Sequence, residues 1–125
     1  MTAIAQPKNL GDVLKYEAPN LYSRETNTVA AAQNLALGTV VGRDTATAKL
    51  KAFDPGASDG SEIAIGVLGN DVDATLIDRD DAILIARHAI VARGALIWPT
   101  GITPTQKAAA EALLTFLGVL VRDSA

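Results

Sequence analysis

The sequence predicts a mainly β domain with one α-helix in its C-terminal half, and three features predict it. Between Gly38 and Thr75 short apolar runs are separated by turn-forming residues; between Ala82 and Arg93 apolar residues fall on both faces of an extended pattern; and Thr103-Pro-Thr-Gln has the chemistry of a helix start. The first feature reads as a strand meander. Thr39–Arg43 is β-branched and ends at Asp44, and Lys49–Phe53 follows after an Asp-Thr-Ala-Thr connection of hairpin length. Asp54-Pro-Gly-Ala-Ser-Asp-Gly then concentrates turn formers: proline fixes φ, glycine permits positive φ, and aspartate bonds its own backbone. Glu62–Leu68 alternates with a period of two, which sets Ile63, Ile65 and Val67 on one face.

Taken in order, residues 1–21 are expected to form an extended arm, because Pro7 and Pro19 hold their neighbours in extended conformations and the apolar residues are scattered. Inside it, Leu10-Gly-Asp-Val-Leu-Lys-Tyr-Glu fits one amphipathic turn or a short strand, with Leu10, Val13, Leu14 and Tyr16 available to pack on a partner. The remainder, residues 22–125, is expected to be one β-rich domain. Tyr22–Val29 is rich in β formers and predicts its first strand. Ala82–Arg93 predicts two consecutive strand pieces buried on both sides. After the break at Pro99-Thr-Gly, Thr103 is the N-cap of a helix, Pro104 its first residue and Gln106 the reciprocal partner of the cap, with Gly118 as the stop. Ala109, Leu113, Phe116 and Leu117 are expected to face the core, and Gln106, Lys107 and Glu111 to stay in water. Val119–Val121 predicts a last short strand.

A chain of 125 residues is about one domain. Only five residues are aromatic, so the core must be built from Ala, Val, Ile and Leu, and an aromatic-poor core favours oligomerisation. Cysteine is absent, which removes disulfides, thiolate chemistry and cysteine-based metal sites. Neither a signal peptide nor a membrane span is expected. The net charge of −3 is unevenly spread: Asp54 to Asp81 carries eight acids against Arg79 alone, a local −7, which leaves +4 thinly distributed elsewhere. No Lys/Arg cluster with interleaved aromatics occurs, and direct nucleic-acid binding is not expected.

Candidate chemistry is sparse. His88, the one histidine, alternates with Leu84, Ala86 and Ile90 and reads as a packed or interface residue rather than a general base. Asp71, Asp73, Asp78, Asp80 and Asp81 could gather a hard cation, but the spacing is not that of a calcium loop, and acidic loops are usually solvated. The hydroxyls in Ser58-Asp-Gly and Ser23-Arg-Glu have no nucleophile-elbow context, and the glycines form no phosphate loop followed by a helix. Trp98 before Pro99 is a platform for a sugar or base in one reading and an apolar plug in the other.

A resemblance is carried by Gly11-Asp-Val-Leu-Lys-Tyr-Glu, Tyr22-Ser-Arg-Glu-Thr, Leu35 before Gly38-Thr-Val-Val-Gly, Asp54-Pro before Ser58-Asp-Gly, and Ile65-Gly-Val-Leu before Asp71-Val-Asp-Ala-Thr. In this order and spacing, from about Leu10 to Arg122, the chain resembles the lambda-type bacteriophage head decoration proteins. The resemblance implies a β-clip-like compact domain with an extended N-terminal arm, assembled as a homotrimer on the outside of an expanded shell. It also implies the major capsid protein as partner, the virion surface as location after assembly in the host cytoplasm, and stabilisation as the role. Leu10, Val13, Leu14 and Tyr16 are then the expected capsid-binding residues of the arm. No catalytic residue, cofactor, metal, membrane or nucleic acid is expected. Two other classes remain as alternatives: a small β-rich metal-dependent hydrolase or nucleotide-binding trimer that uses the aspartates, and a glycan-binding module built on Trp98.

Overall fold

The described part of the chain begins by packing Leu10, Val13 and Leu14 on the core. The structure, a computed structural model, describes residues 9–123. Asn9 caps a single helical turn, α1 (Leu10–Val13), through a reciprocal pair: its Oδ1 accepts the Asp12 N–H at 3.2 Å, and Asp12 Oδ2 accepts the Asn9 N–H at 2.9 Å. β1 (Leu14–Glu17) follows directly, then a 3₁₀ turn at Pro19–Leu21. Next come β2 (Arg24–Val29), β3 (Gln33–Leu35), β4 (Val40–Arg43), β5 (Leu50–Ala52), β6 (Gly66–Leu68), β7 (Val72–Ala74), β8 (Arg79–Ile85) and β9 (Ala89–Ala92). A 3₁₀ turn at Arg93–Ala95, α2 (Pro104–Phe116) and β10 (Val119–Arg122) complete the described chain. Among the described residues no helix is long and apolar enough to cross a membrane.

Five strands close a barrel in the order β2-β5-β4-β6-β8, with β8 returning to pair antiparallel with β2. A second sheet, β1-β9-β10, has β1 antiparallel and β10 parallel to β9, and β3 pairs with β7 in a two-stranded ribbon. β4, β6 and the C-terminal end of β8 are apolar on both faces, because each face meets a separate core. Val40, Val67 and Ile85 join Val13, Val91, Leu114, Val119 and Val121 in the core between barrel, second sheet and α2; Val41, Leu68 and Leu84 join Val29, Leu50 and Val72 in the other. The mainly β class and the C-terminal helix are as the sequence predicts.

Within the arm expected over residues 1–21, Leu10–Glu17 forms both the helical turn and the short strand that the sequence allows, but packs them on its own domain; residues 1–8 lie outside the described part. Leu10, Val13 and Leu14 recur at helical spacing and turn one side of α1 to the core, where Val13 is 0% exposed. β1 then pairs with β9 from Leu14↔Val91 to Glu17↔Ala89. Its end is clamped by Arg24, which donates to Glu17 at 2.8 and 2.7 Å in a two-pronged pair that lowers the Glu17 pKa. Pro19 therefore ends a strand rather than keeping the segment open.

Two other expectations are corrected. The strand predicted over Glu62–Leu68 forms only at Gly66–Leu68, because Ser61–Ala64 is consumed by the preceding turn: the Ile63 N–H bonds the Gly60 carbonyl at 3.2 Å, and Ile63 is exposed rather than inward. The helix starts as predicted, with Thr103 Oγ1 accepting the Gln106 N–H at 3.1 Å and Gln106 Oε1 accepting the Thr103 N–H at 3.0 Å. Its buried residues, however, are Ala110 and Leu114, one position off the predicted Ala109 and Leu113, while Phe116 and Leu117 are exposed. One residue is about 100° of helix rotation. The alanine-rich sequence carries little directional signal, and the side that packs is the one where Ala110 and Leu114 meet Val119 and Val121 of β10, with Glu111 beside them pairing with Arg93 at 3.2 Å.

The turn-rich loop 54–60 folds back over β4. A Cβ on Gly42 would lie 2.7 Å from Ser61 Cα, and Gly60 sits at φ +110° with its missing Cβ 2.4 Å from the Arg43 carbonyl. Asp59 locks the loop: Lys51 donates to its Oδ2 at 2.7 Å, and the Ser61 hydroxyl and N–H donate to Oδ1 at 2.6 and 3.0 Å. The Lys51 ammonium, followed by the Ser61 donors, holds the Asp59 carboxyl well below the usual carboxylate range. A folded pKa below the unfolded one means stability that is present above the ordinary value of 3.8 and lost as pH falls through the folded value. Asp59→Asn is thus expected to lower the melting midpoint at pH 7, with the gap to the parent closing below pH about 4. Circular dichroism melts across pH check this, and a gap independent of pH would refute the assigned role.

Candidate functional site

The residues expected to make the arm's contacts are divided by the fold. Val13 is fully buried, Leu10 and Leu14 are half-buried against the core, and Tyr16, on the outward face of β1, is 54% exposed. Only Tyr16 of the four offers most of a side chain to a partner, and the first eight residues of the expected arm lie outside the description.

The aspartates of the acidic segment are used one at a time. Asp71 Oδ1 accepts the Leu37 N–H at 2.7 Å, Asp73 accepts the Thr75 N–H at 3.0 Å and its hydroxyl, Asp78 accepts the Ala31 N–H at 2.8 Å and the Lys49 ammonium, and Arg79 donates to Asp81 at 3.0 Å. These bonds depress the pKa of Asp73, chiefly through Thr75, and of Asp78, chiefly through Lys49. Among the described residues no three of His, Cys, Asp and Glu converge on a point where they could hold a metal ion. What the segment does build is a stiff β7–β8 tip. Its ends are pinned by Asp73 and Asp78, and between them Leu76 and Ile77 project with 89% and 68% of their surface exposed. Sequence reasoning missed this pair; its signal was two aliphatic residues inside a turn, outside any periodic run.

At the far end of β8 lies an open depression of about 420 Å³. Ile65, Leu84, Ala86 and Leu117 make its apolar wall, with Arg43, Arg87 and His88 at the edge. Arg87 pairs with Glu25 and lies 5.2 Å from the Tyr22 ring centroid, while Arg43 is held by Asn27 Oδ1 at 2.7 Å and the Ala48 carbonyl at 2.8 Å. His88 is exposed at φ +49°, with its ring 5.2 Å from that of Tyr22. Gly118 faces it at φ +94°, where a Cβ would meet the His88 N at 3.1 Å. On the adjoining surface of α2 and its C-terminal cap, Phe116 is 89% exposed beside the half-exposed Leu113 and Leu117.

Trp98 is half-buried with its edge toward Phe53, ring centroids 6.1 Å apart at 78°. It lines a groove of about 240 Å³ with Leu35, Val40, Ile97 and Pro99. Its packing is that of the apolar plug, since the side chain packs against the core cluster that contains Phe53.

The described surfaces thus offer apolar and polar contacts, and comparison with known families places the chain. A family model described as bacteriophage lambda head decoration protein D matches residues 3–119. The chain belongs to that family. No curated protein matches it significantly. The head decoration family is structural, and membership associates the chain with the phage capsid and the virion. The matched span contains the whole barrel, α1 and α2, the β7–β8 tip and the basic-edged depression, so every surface described above belongs to the head decoration domain.

Proposed function

We propose that this head decoration protein binds as a homotrimer to the outside of the expanded capsid, clamps neighbouring copies of the major capsid protein and so stabilises the shell after assembly in the host cytoplasm. The family match over residues 3–119 carries the reading. Its physical support is the surface: Tyr16, Tyr22, Leu76, Ile77 and Phe116 are each more than half exposed, an apolar load that a structural protein acting by burial would cover with partners. The anchoring element in this reading is the N-terminal segment up to Asn9 together with the exposed Tyr16. An extended segment gains affinity by adding as a strand to a sheet edge, and three such segments on one trimer bind with avidity that none has alone.

Sedimentation at micromolar concentration is expected to give three times the 12.9 kDa protomer mass, with no metal or ligand added. Mixed with undecorated expanded shells, the trimer is expected to bind and to raise the temperature at which the shells rupture. Binding without any rise in rupture temperature would remove the stabilising role; absence of binding would remove the decoration role for this chain.

A further inference from the structure

We infer that the β7–β8 tip of one copy plugs the depression at the far end of β8 on the next copy, so that the trimer is a head-to-tail ring. This deepens the trimer reading and rests on it. A three-fold ring needs heterologous contacts, in which each subunit presents two different, mutually complementary patches. The fold supplies such a pair. Leu76 and Ile77 are exposed aliphatic side chains on a tip whose backbone is already fixed by Asp73 and Asp78. The depression offers an aliphatic wall of Ile65, Leu84, Ala86 and Leu117.

Charge matches the two surfaces in the same sense. The tip stands among Asp73, Asp78, Asp80 and Asp81 with Arg79 and the Lys49 that pairs with Asp78 as its bases, and so stays acidic, whereas the edge of the depression carries Arg43 and Arg87 against Glu25. Among the described residues Arg43 has no carboxylate partner; it bonds Asn27 and a backbone carbonyl, and so keeps its charge available to a neighbour. A copy cannot fill its own depression, because the tip immediately precedes Arg79 and the wall residues Leu84 and Ala86 lie at the other end of β8. Six residue steps of strand hold the two about 20 Å apart. The occupant is therefore a second copy.

The test uses two variants of the full chain, each altered on one patch only: Leu76→Asp with Ile77→Asp on the tip, and Leu117→Glu in the depression. All three side chains are substantially exposed, so far-ultraviolet circular dichroism is expected to match the parent; Arg43→Glu serves as a second depression variant if Leu117→Glu does not. Each variant alone is expected to sediment as a monomer at concentrations where the parent is a trimer. Mixed one to one, they are expected to form heterodimers and no trimers, since the intact depression of one accepts the intact tip of the other and no second pairing remains. Trimeric tip variants overturn the proposal while leaving the trimer reading standing, and loss of the trimer on Phe116→Ser would then place the interface on α2. Variants that stay monomeric when mixed also overturn it. A parent chain that is itself monomeric overturns the trimer reading instead.

Discussion

Removal of residues 2–8 is expected to leave the melting midpoint of the domain within about 1 °C of the full chain, while shell binding falls by roughly 100-fold or more as the three linked contacts are lost. Removal of residues 2–17 is expected to do something different: to unfold the domain or lower its stability by at least about 4 kcal/mol. The boundary between the two outcomes is set by Val13. It is 0% exposed in the core with Val91, Leu114, Val119 and Val121, and Leu10 and Leu14 flank it. Cutting past it opens a cavity, removes β1 from β9 and strands Arg24 without Glu17. Native domains hold only about 5–15 kcal/mol in total, so the longer deletion consumes a large share of it. Melts of both truncations, each paired with a shell-binding assay, check the prediction. Undiminished decoration by the shorter truncation would move anchoring to the folded body.

Gly60→Ala is expected to be the most destabilising single methyl addition in the loop region, at about 3 kcal/mol, or roughly 10 °C in melting midpoint for a domain of this size. Two costs combine. At φ +110° any side chain is strained, and the new Cβ would be 2.4 Å from the Arg43 carbonyl and 2.7 Å from Thr45 Cγ2. The backbone cannot yield easily, since the Thr45 N–H is bonded to the Asp59 carbonyl at 2.8 Å and the Asp59 side chain is fixed by Lys51 and Ser61. Gly94→Ala is the control: nothing lies within 4 Å of its Cβ position, and a change within about 0.5 kcal/mol is expected there. Equal losses at the two positions would show that loop 54–60 adapts rather than resists.

Local signals were legible where a residue type has one physical use. Thr103-Pro104 with Gln106 predicts a helix start because the side chains themselves satisfy its open N–H groups, and the structure has that reciprocal pair. The break between β8 and β9 is legible only as two pieces; that the turn passes through His88 at positive φ, close to Gly118, is a tertiary outcome. The phase of α2 was not legible, since Ala108, Ala109, Ala110 and Ala112 carry almost no directional signal. Nor was the β3–β7 ribbon, three residues on each side, in which Gln33–Leu35 gains its strand character from Val72–Ala74 far along the chain. For the interaction surfaces, the acidic bias of Asp54–Asp81 was visible, but the apolar pair at its tip depends on where a turn lies. Likewise the basic-edged depression is assembled from β2, β4, β8 and the end of α2, a composite that no run of sequence displays.

The placement of β1 and β10 on opposite sides of β9 has a consequence for how the protein is made. The first and last of the described strands flank the same central strand, and the core around Val13 includes Val119 and Val121. Until β10 has been made, β1 has no complete site, and the barrel face that should cover this core is open to water. A chain terminated before Val119 lacks one wall of the core as well as the Arg93 contacts to Val121 and Asp123 that tie the end down. Closure of this core is thereby tied to the synthesis of β10, and a chain that stops short of it leaves Val13 and Val91 without that wall.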